Sequence, residues 1–317
     1  MLGWASLIQS LHHVTATVSA AQQDLDFYVG LLGLRLVKKT VNFDNHHVFH
    51  FYYGDEQGTP GTIMTTFPYG GMGVPVGRKG SGQITATAFS VPAGSLAAWR
   101  ARLASHRVTV IGEGVRFGEP FLAFDDPSGL AIELIEDGTD ARAPWASGSA
   151  GRAIAIRGLH SVTLSLRDLG RSLGLLTGPL CYTVAGEEGA RTRVEIGPGG
   201  AGSTIDLLHT PNAPAGINGL GTVHHVAMAI GTEEEQLAIR ERLLGLRIGV
   251  TEVRDRQYFK SIYFREPGGV LYEIATLAPG FAVDEEPSQL GRLLTLPPWE
   301  EPHRSTIEAG LPPVSHP

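Results

Sequence analysis

The sequence predicts an α+β fold built from four tandem βαβββ units, and three observations predict it. The same order of cues recurs four times along 317 residues. Each recurrence opens and closes on a β-branched, alternating run bounded by Gly, Pro or Asp, the signature of a half-buried strand. Between the first and second runs lies a stretch with apolar residues three and four apart, as in Leu96, Trp99 and Leu103, which is the spacing of one helix face.

Unit one opens at Leu11-His-His-Val-Thr-Ala-Thr-Val and continues with a helix over Gln22–Leu32 and a Gly33-Leu34 turn. Strands follow near Leu36–Phe43, Val48–Tyr53 and Thr62–Phe67. Unit two opens with Gln83–Val91, has its helix over Ser95–Ser105 and closes at Pro127-Ser-Gly-Leu-Ala-Ile-Glu-Leu. Unit three runs from Gly158-Leu-His-Ser-Val-Thr-Leu-Ser to Ser203-Thr-Ile-Asp-Leu-Leu-His. Unit four runs from Val223-His-His-Val-Ala-Met-Ala-Ile to Pro267-Gly-Gly-Val-Leu-Tyr-Glu-Ile. The expected division is a domain of units one and two (1–137), a Gly-, Ala- and Ser-rich linker (138–157), a domain of units three and four (158–276) and a tail (277–317). Leu290, Leu293 and Trp299 are the tail residues expected to pack it on the body.

Composition narrows the function. Hydrophobic residues make up 42% and charged residues 18%, as in a soluble globular protein with a core. The net charge of −7 is spread without a basic stripe, so neither nucleic acid nor an anionic membrane surface is an expected partner. Cys181 is the only cysteine, which excludes an intramolecular disulfide and a thiolate cluster. Among apolar neighbours it reads as a buried structural thiol. With no signal-like segment or membrane span, the expected location is the cytoplasm.

Four βαβββ units with opening His-His-Val and closing Gly-Val-Leu-Tyr-Glu resemble the vicinal oxygen chelate superfamily. The resemblance implies that paired units curl into incomplete barrels with a metal at the centre of one. The residues themselves limit where a metal can sit, because a divalent site needs side chains converging from several strands. Unit one supplies His13, and Thr65 or Thr66 where a carboxylate would close the set. Unit four supplies His225 and Glu273. Unit two has only Thr85 or Ala86 with Glu133, and unit three has Ser161 with Asp206, His160 falling one residue out of phase. One metal is therefore expected, between units one and four. Two imidazoles and a carboxylate are the set that leaves open positions on non-haem Fe(II). The threonines in unit one argue against glyoxalase-type isomerases, which use a further carboxylate there. His46, His47, His106, His303 and His316 are read as structural, and Gly77-Arg-Lys-Gly-Ser as a flexible connection without phosphate-loop spacing.

Further stretches resemble the hydroquinone ring-cleaving dioxygenases: Gly58-Thr-Pro-Gly-Thr-Ile-Met-Thr-Thr-Phe-Pro, Arg256-Gln-Tyr-Phe-Lys-Ser-Ile-Tyr, and the Gly280-Phe and Asp284-Glu-Glu tail. This resemblance implies Fe(II) ligands at His13, His225 and Glu273, with a substrate shell of His12, Thr15, His224, Arg256 and Tyr263. It implies that O2 opens a small aromatic diol to an acid of the maleylacetate type. In that scheme Tyr263 holds the ionised hydroxyl, His224 exchanges a proton with a pKa near neutrality, and His12, Thr15 and Arg256 orient the distal hydroxyl. Strand alternation turns His12 away from His13, so His12 reaches the pocket only at a strand end or bulge. Two alternatives stay open at this point: a catechol extradiol dioxygenase with the same ligands, and a metal-free protein that binds aromatic compounds. An exposed outer face of the paired units could make a homodimer.

Overall fold

The computed structural model describes residues 6–316. Each unit resolves into four strands. Unit one holds β1 (Ile8–Val18), β2 (Arg35–Asn42), β3 (Asn45–Gly54) and β4 (Ile63–Pro68), and unit two β5 (Gln83–Val91), β6 (Val110–Arg116), β7 (Glu119–Asp125) and β8 (Ala131–Glu136). Unit three holds β9 (Gly158–Leu166), β10 (Thr183–Glu188), β11 (Arg191–Glu195) and β12 (Thr204–His209), and unit four β13 (Thr222–Ile230), β14 (Arg254–Asp255), β15 (Phe259–Arg265) and β16 (Leu271–Pro279). After the opening strands come α1 (Ala21–Leu25, continued by a π-helical turn over Asp26–Leu31), α2 (Leu96–Ser105), α3 (Gly170–Thr177) and α4 (Glu233–Gly245). Only α4 carries a full capping box, in which Thr232 accepts from the Glu235 amide and the Glu235 carboxylate accepts from the Thr232 amide.

The strands form two eight-stranded sheets, β14-β15-β16-β13-β1-β4-β3-β2 and β10-β11-β12-β9-β5-β8-β7-β6, each curled into an incomplete barrel. Unit one thus pairs with unit four and unit two with unit three, cutting across the expected division at 138–157. Local patterning specifies each unit, but the choice of partner belongs to the opening strands. β1 runs antiparallel to β13, and β5 to β9.

The segments joining the units are also held. Residues 77–81, expected to be a flexible connection, are bridged to 214–220: the Arg78 amide donates to the Ile217 carbonyl at 2.8 Å and the Ile217 amide to that of Arg78 at 2.9 Å. Beside them Gly221 has φ +78°, and a Cβ there would lie 2.1 Å from the Ser128 carbonyl oxygen, so both conformation and space require glycine. In the 138–157 segment Arg142 donates to the carbonyls of Gly61 and Leu159.

The largest core cluster runs through both sheets and their helices, with Trp99, Tyr28 and Phe89 fully buried. Cys181, expected to be buried, is half-buried at a left-handed φ of 60°. The tail anchors differently from expectation. Leu290 is buried, but Leu293 is 73% exposed and Trp299 is 45% exposed, its ring edge-on to Phe43. Leu296 and Ile307, the latter on the tail helix α5 (Arg304–Gly310), are buried instead. The buried Lys38 ammonium binds Asp284 and Glu285 of the tail. No helix among the described residues is long and apolar enough to cross a membrane.

Candidate active site and metal centre

The centre of the first sheet positions the site by register. Glu273 on β16 faces Ala227 on β13, and Ala227 faces His13 on β1, so a methyl group lies between a carboxylate and an imidazole. His225, two residues before Ala227, projects from the same face of β13. The three side chains converge: His13 Nε2 lies 3.2 Å and His225 Nε2 2.7 Å from Glu273 Oε2, and the two Nε2 atoms are 3.3 Å apart. All three residues are buried.

The two oxygens of Glu273 have unequal surroundings. Oε1 accepts from the Ser261 hydroxyl and, at 3.0 Å, from the Tyr263 hydroxyl. Oε2 is buried and has no aligned hydrogen bond. Burial alone would raise the Glu273 pKa, but His13 and His225 outweigh it and hold the carboxyl well below its usual range. An orphaned carboxylate oxygen faced by two ring nitrogens fits a divalent cation, which would satisfy all three atoms at once. Burial lowers the His225 pKa, leaving it the neutral imidazole a metal requires.

Each histidine of the triad is backed by the histidine before it. His12 Nδ1 lies 2.9 Å from His13 Nδ1, and His224 Nδ1 2.7 Å from His225 Nδ1. A shift of register between Leu11 and His13 turns the His12 ring towards its neighbour. His12 also bonds the backbone of Thr276, and its ring packs edge-on against Phe259, outside the cavity lining. His12 thus stands against His13 and not among the residues that line the cavity, where a contact with substrate was expected. Burial first, and the adjacent ligand imidazole next, push both His12 and His224 down to about 3, so His224 is neutral where a pKa near neutrality was expected.

The triad opens on a cavity of about 250 Å³ that Thr15, His224, Arg256 and Tyr263 also line, with Phe43, Phe67 and Phe259 as aromatic walls. Tyr263 is held well above its usual pKa, by burial first and by Glu273 next, so it stays a donor. Its proton goes to Glu273, and its oxygen accepts from Arg256 Nε at 3.0 Å. Arg256 spans to the mouth, where a second guanidinium nitrogen meets Asp44 Oδ2 at 3.0 Å. The Thr65 position, where a further carboxylate would complete a four-ligand set, carries a hydroxyl that donates to Thr15 at 2.9 Å.

The second sheet repeats the frame without the donors. Glu133 faces Ala88, which faces Ser161, so a serine stands where the first sheet has His13. Ala86, facing Thr163, takes the place of His225, which faces Thr15. Glu133 is held by Arg116 through two bonds of 2.8 and 3.0 Å, and Asp206 by Arg193 through bonds of 2.8 and 3.1 Å. His160 bonds Glu119 at 3.1 Å. Among the described residues, His13, His225 and Glu273 form the one group that converges as a metal site.

The profile of the glyoxalase/bleomycin resistance protein/dioxygenase superfamily matches residues 10–134 and 158–274. The chain belongs to this superfamily. Within it, the chain is 42% identical to a Bacillus subtilis protein named as a ring-cleaving dioxygenase, MhqO, over 98% of this chain and 97% of that one. It is 38% identical to the chlorohydroquinone/hydroquinone 1,2-dioxygenase of Sphingobium indicum, over 93% of each chain. A crystal structure of a Bacillus subtilis protein described as a dioxygenase superposes with a TM-score of 0.94 at 42% identity, covering 99% of each chain. Glyoxalase I from Zea mays shares the superfamily fold at a TM-score of 0.62 and 15% identity, over 84% of this chain and 92% of that one.

Sequence reasoning found the triad because two units place histidines and a carboxylate in phase. It missed Ser261, Ala227 and His50, the last a residue of the cavity lining. Ser261 lies two residues from Tyr263 on the same face of β15, a signal that alternation could have supplied. Ala227 and His50 depend on which strands pair, which local patterning does not state.

Proposed function

We propose that this chain is a ring-cleaving dioxygenase in which His13, His225 and Glu273 hold Fe(II) and a hydroquinone-type diol is opened with O2. The observation that carries the reading is the orphaned Glu273 Oε2, faced by two imidazole nitrogens at the end of a cavity with aromatic walls. Names of relatives at 38–42% identity over nearly the whole chain support the reaction class.

Fe(II) at this triad, with a net charge of +1, would favour an ionised phenol as ligand and relieve the spin restriction on the reaction of the diol with O2. The chain's own residues do the rest. Ser261 and Tyr263 occupy Oε1 of Glu273 and so leave Oε2 for the metal, the outer-shell support that such ligands need. His12 and His224 fix the rings of His13 and His225. Phe43, Phe67 and Phe259 hold the substrate ring and keep water from its faces. Thr15 and His224 present polar atoms to the substrate oxygens, and Arg256 steadies the Tyr263 hydroxyl. Both atoms of O2 enter an open-chain acid as the ring bond beside the hydroxyl-bearing carbon breaks, so no external reductant is needed.

The test is oxygen uptake by anaerobically Fe(II)-loaded protein with hydroquinones and catechols side by side. Hydroquinones are expected to exceed catechols in kcat/KM by about fivefold or more, the cost of leaving a buried polar group unpaired. A preference for catechol would move the substrate to the ortho-diols, and no uptake with either would overturn the reaction.

A further inference from the structure

We propose that His50 is a positioning residue that, through Thr65, aims the hydroxyl proton of Thr15 at the bound diol. For its ligand, the proposal rests on the ring-cleavage reading.

His50 projects from β3 into the cavity wall. Its ring is held between Tyr52 and Phe67, with centroids 4.0 and 4.3 Å away, so its orientation is set by packing. His50 Nε2 lies 2.9 Å from Thr65 Oγ1. Thr65 Oγ1 in turn donates to Thr15 Oγ1 at 2.9 Å. A hydroxyl has one proton, and that of Thr65 is committed to Thr15. The nitrogen facing Thr65 must therefore be the donor, which fixes His50 as the tautomer protonated at Nε2. Burial first, and then the neighbouring His13, Arg256 and His225, hold the His50 imidazole well below its usual pKa, so this is its only N–H.

The chain of donors ends at Thr15. Its oxygen accepts from Thr65, and its own proton meets no acceptor among the described residues, while the side chain lines the cavity. Thr15 sits directly across from His225 and two residues along the same face from His13. Its proton therefore points into the space beside the ligand triad, where a diol oxygen would lie.

Direction is the point of the relay. Two isolated hydroxyls 2.9 Å apart bond either way round at nearly equal cost. In one direction Thr15 shows the cavity a proton, and in the other it shows a lone pair, which an ionised phenol oxygen repels. With the His50 N–H on one lone pair of Thr65, accepting from Thr15 on the other would leave the Thr65 proton without an acceptor among the described residues, so the first arrangement is favoured. The relay crosses β3, β4 and β1 in register, with Tyr52 opposite Thr65 and Thr65 opposite Thr15.

The experiment is a double-mutant cycle on the anaerobic Kd of Fe(II)-loaded protein for hydroquinone, with iron content measured in every variant. His50→Phe keeps the ring and removes the N–H. It is expected to weaken binding by about three- to tenfold, the range of one neutral hydrogen bond, with iron retained. His50→Gln returns an N–H to a similar place and is expected to restore Kd to within about twofold. In a Thr15→Val background, His50→Phe is expected to change nothing further. Thr65→Val, close in shape to threonine, is expected to reproduce the loss without touching the imidazole. Additive losses in the cycle, or an unchanged Kd in both His50→Phe and Thr65→Val, would overturn the proposal. So would a wild type that binds no hydroquinone. Oxygen uptake by the wild type runs alongside: coupling in a protein that binds the diol but does not open it would sustain the relay and overturn the reaction.

Discussion

Glu273 gives its two oxygens different work, and most predictions at the scale of single residues follow from that. Oε1 is satisfied by Ser261 and Tyr263, while Oε2 waits between two imidazoles. Glu273→Ala, His13→Ala and His225→Ala are each expected to lose bound iron and turnover, whereas His160→Ala, whose ring faces Glu119, is expected to keep both. Elemental analysis of the purified variants checks this. Ser261→Ala and Tyr263→Phe each remove one donor from Oε1 and are expected to weaken iron affinity or activity by roughly 10–100-fold, the usual cost of a lost outer-shell partner. Retention of iron under a graded chelator challenge measures it. The triad was legible in the sequence because a repeated unit shows its inward positions twice. The duty of His12 was not, since a bulge in β1 moves its ring beside His13, and alternation alone cannot announce a bulge.

At the scale of elements, α1 is held to the sheet by buried carboxyls. Asp24 accepts from the hydroxyls of Tyr53, at 2.6 Å, and Thr66, and Asp126 accepts from that of Tyr28 and from the amides of Ser128 and Leu130. Burial raises Asp24 to about 7 and Asp126 to about 6. A carboxyl with a raised folded-state pKa binds more protons folded than unfolded. Its contribution to stability is therefore full below the ordinary Asp pKa near 4 and is lost as pH rises through about 6–7. Thermal unfolding of the wild type is expected to show this decline between about pH 4 and pH 7, on top of the other titrations. Asp24→Asn keeps an acceptor oxygen for Tyr53 and Thr66 and cannot ionise. It is expected to raise Tm at pH 8 relative to wild type by a few degrees, on the order of 2–4 °C per kcal/mol recovered, with the difference closing by pH 4. The elements themselves were readable: β5 spans Gln83–Val91 as the alternation predicts, and the α2 helix follows the Leu96, Trp99, Leu103 spacing. Gln22–Leu32 was readable as helical, but its π-helical second half was not, because the i→i+5 bonds that define a π turn have no residue signature of their own.

For the whole molecule, the choice of partner matters more than any single strand. The four units were visible in the sequence, and the pattern of histidines and carboxylate set the expected metal between units one and four, but the pairing of whole units into sheets, one with four and two with three, was not. It is decided by contacts between β1 and β13, more than 200 residues apart. Each sheet therefore takes one unit from either side of the 138–157 segment, and fragments 1–157 and 158–317 would each leave two opening strands without their antiparallel partners. Neither fragment alone is expected to bind iron or turn over, and the two expressed together are expected to regain both. Iron bound to one fragment alone would contradict this pairing. The same topology confines the candidate metal site to one sheet, since Arg116 and Arg193 hold Glu133 and Asp206 in the other. The most direct test of the account is a titration of metal-free protein with Fe(II) under anaerobic conditions, with the initial rate of oxygen uptake on hydroquinone read after each addition. The account predicts a rate that rises to a break at one Fe(II) per chain in the wild type and in Asp206→Asn, and no rate at any addition in Glu273→Ala. A break at two, or full activity in Glu273→Ala, would contradict it.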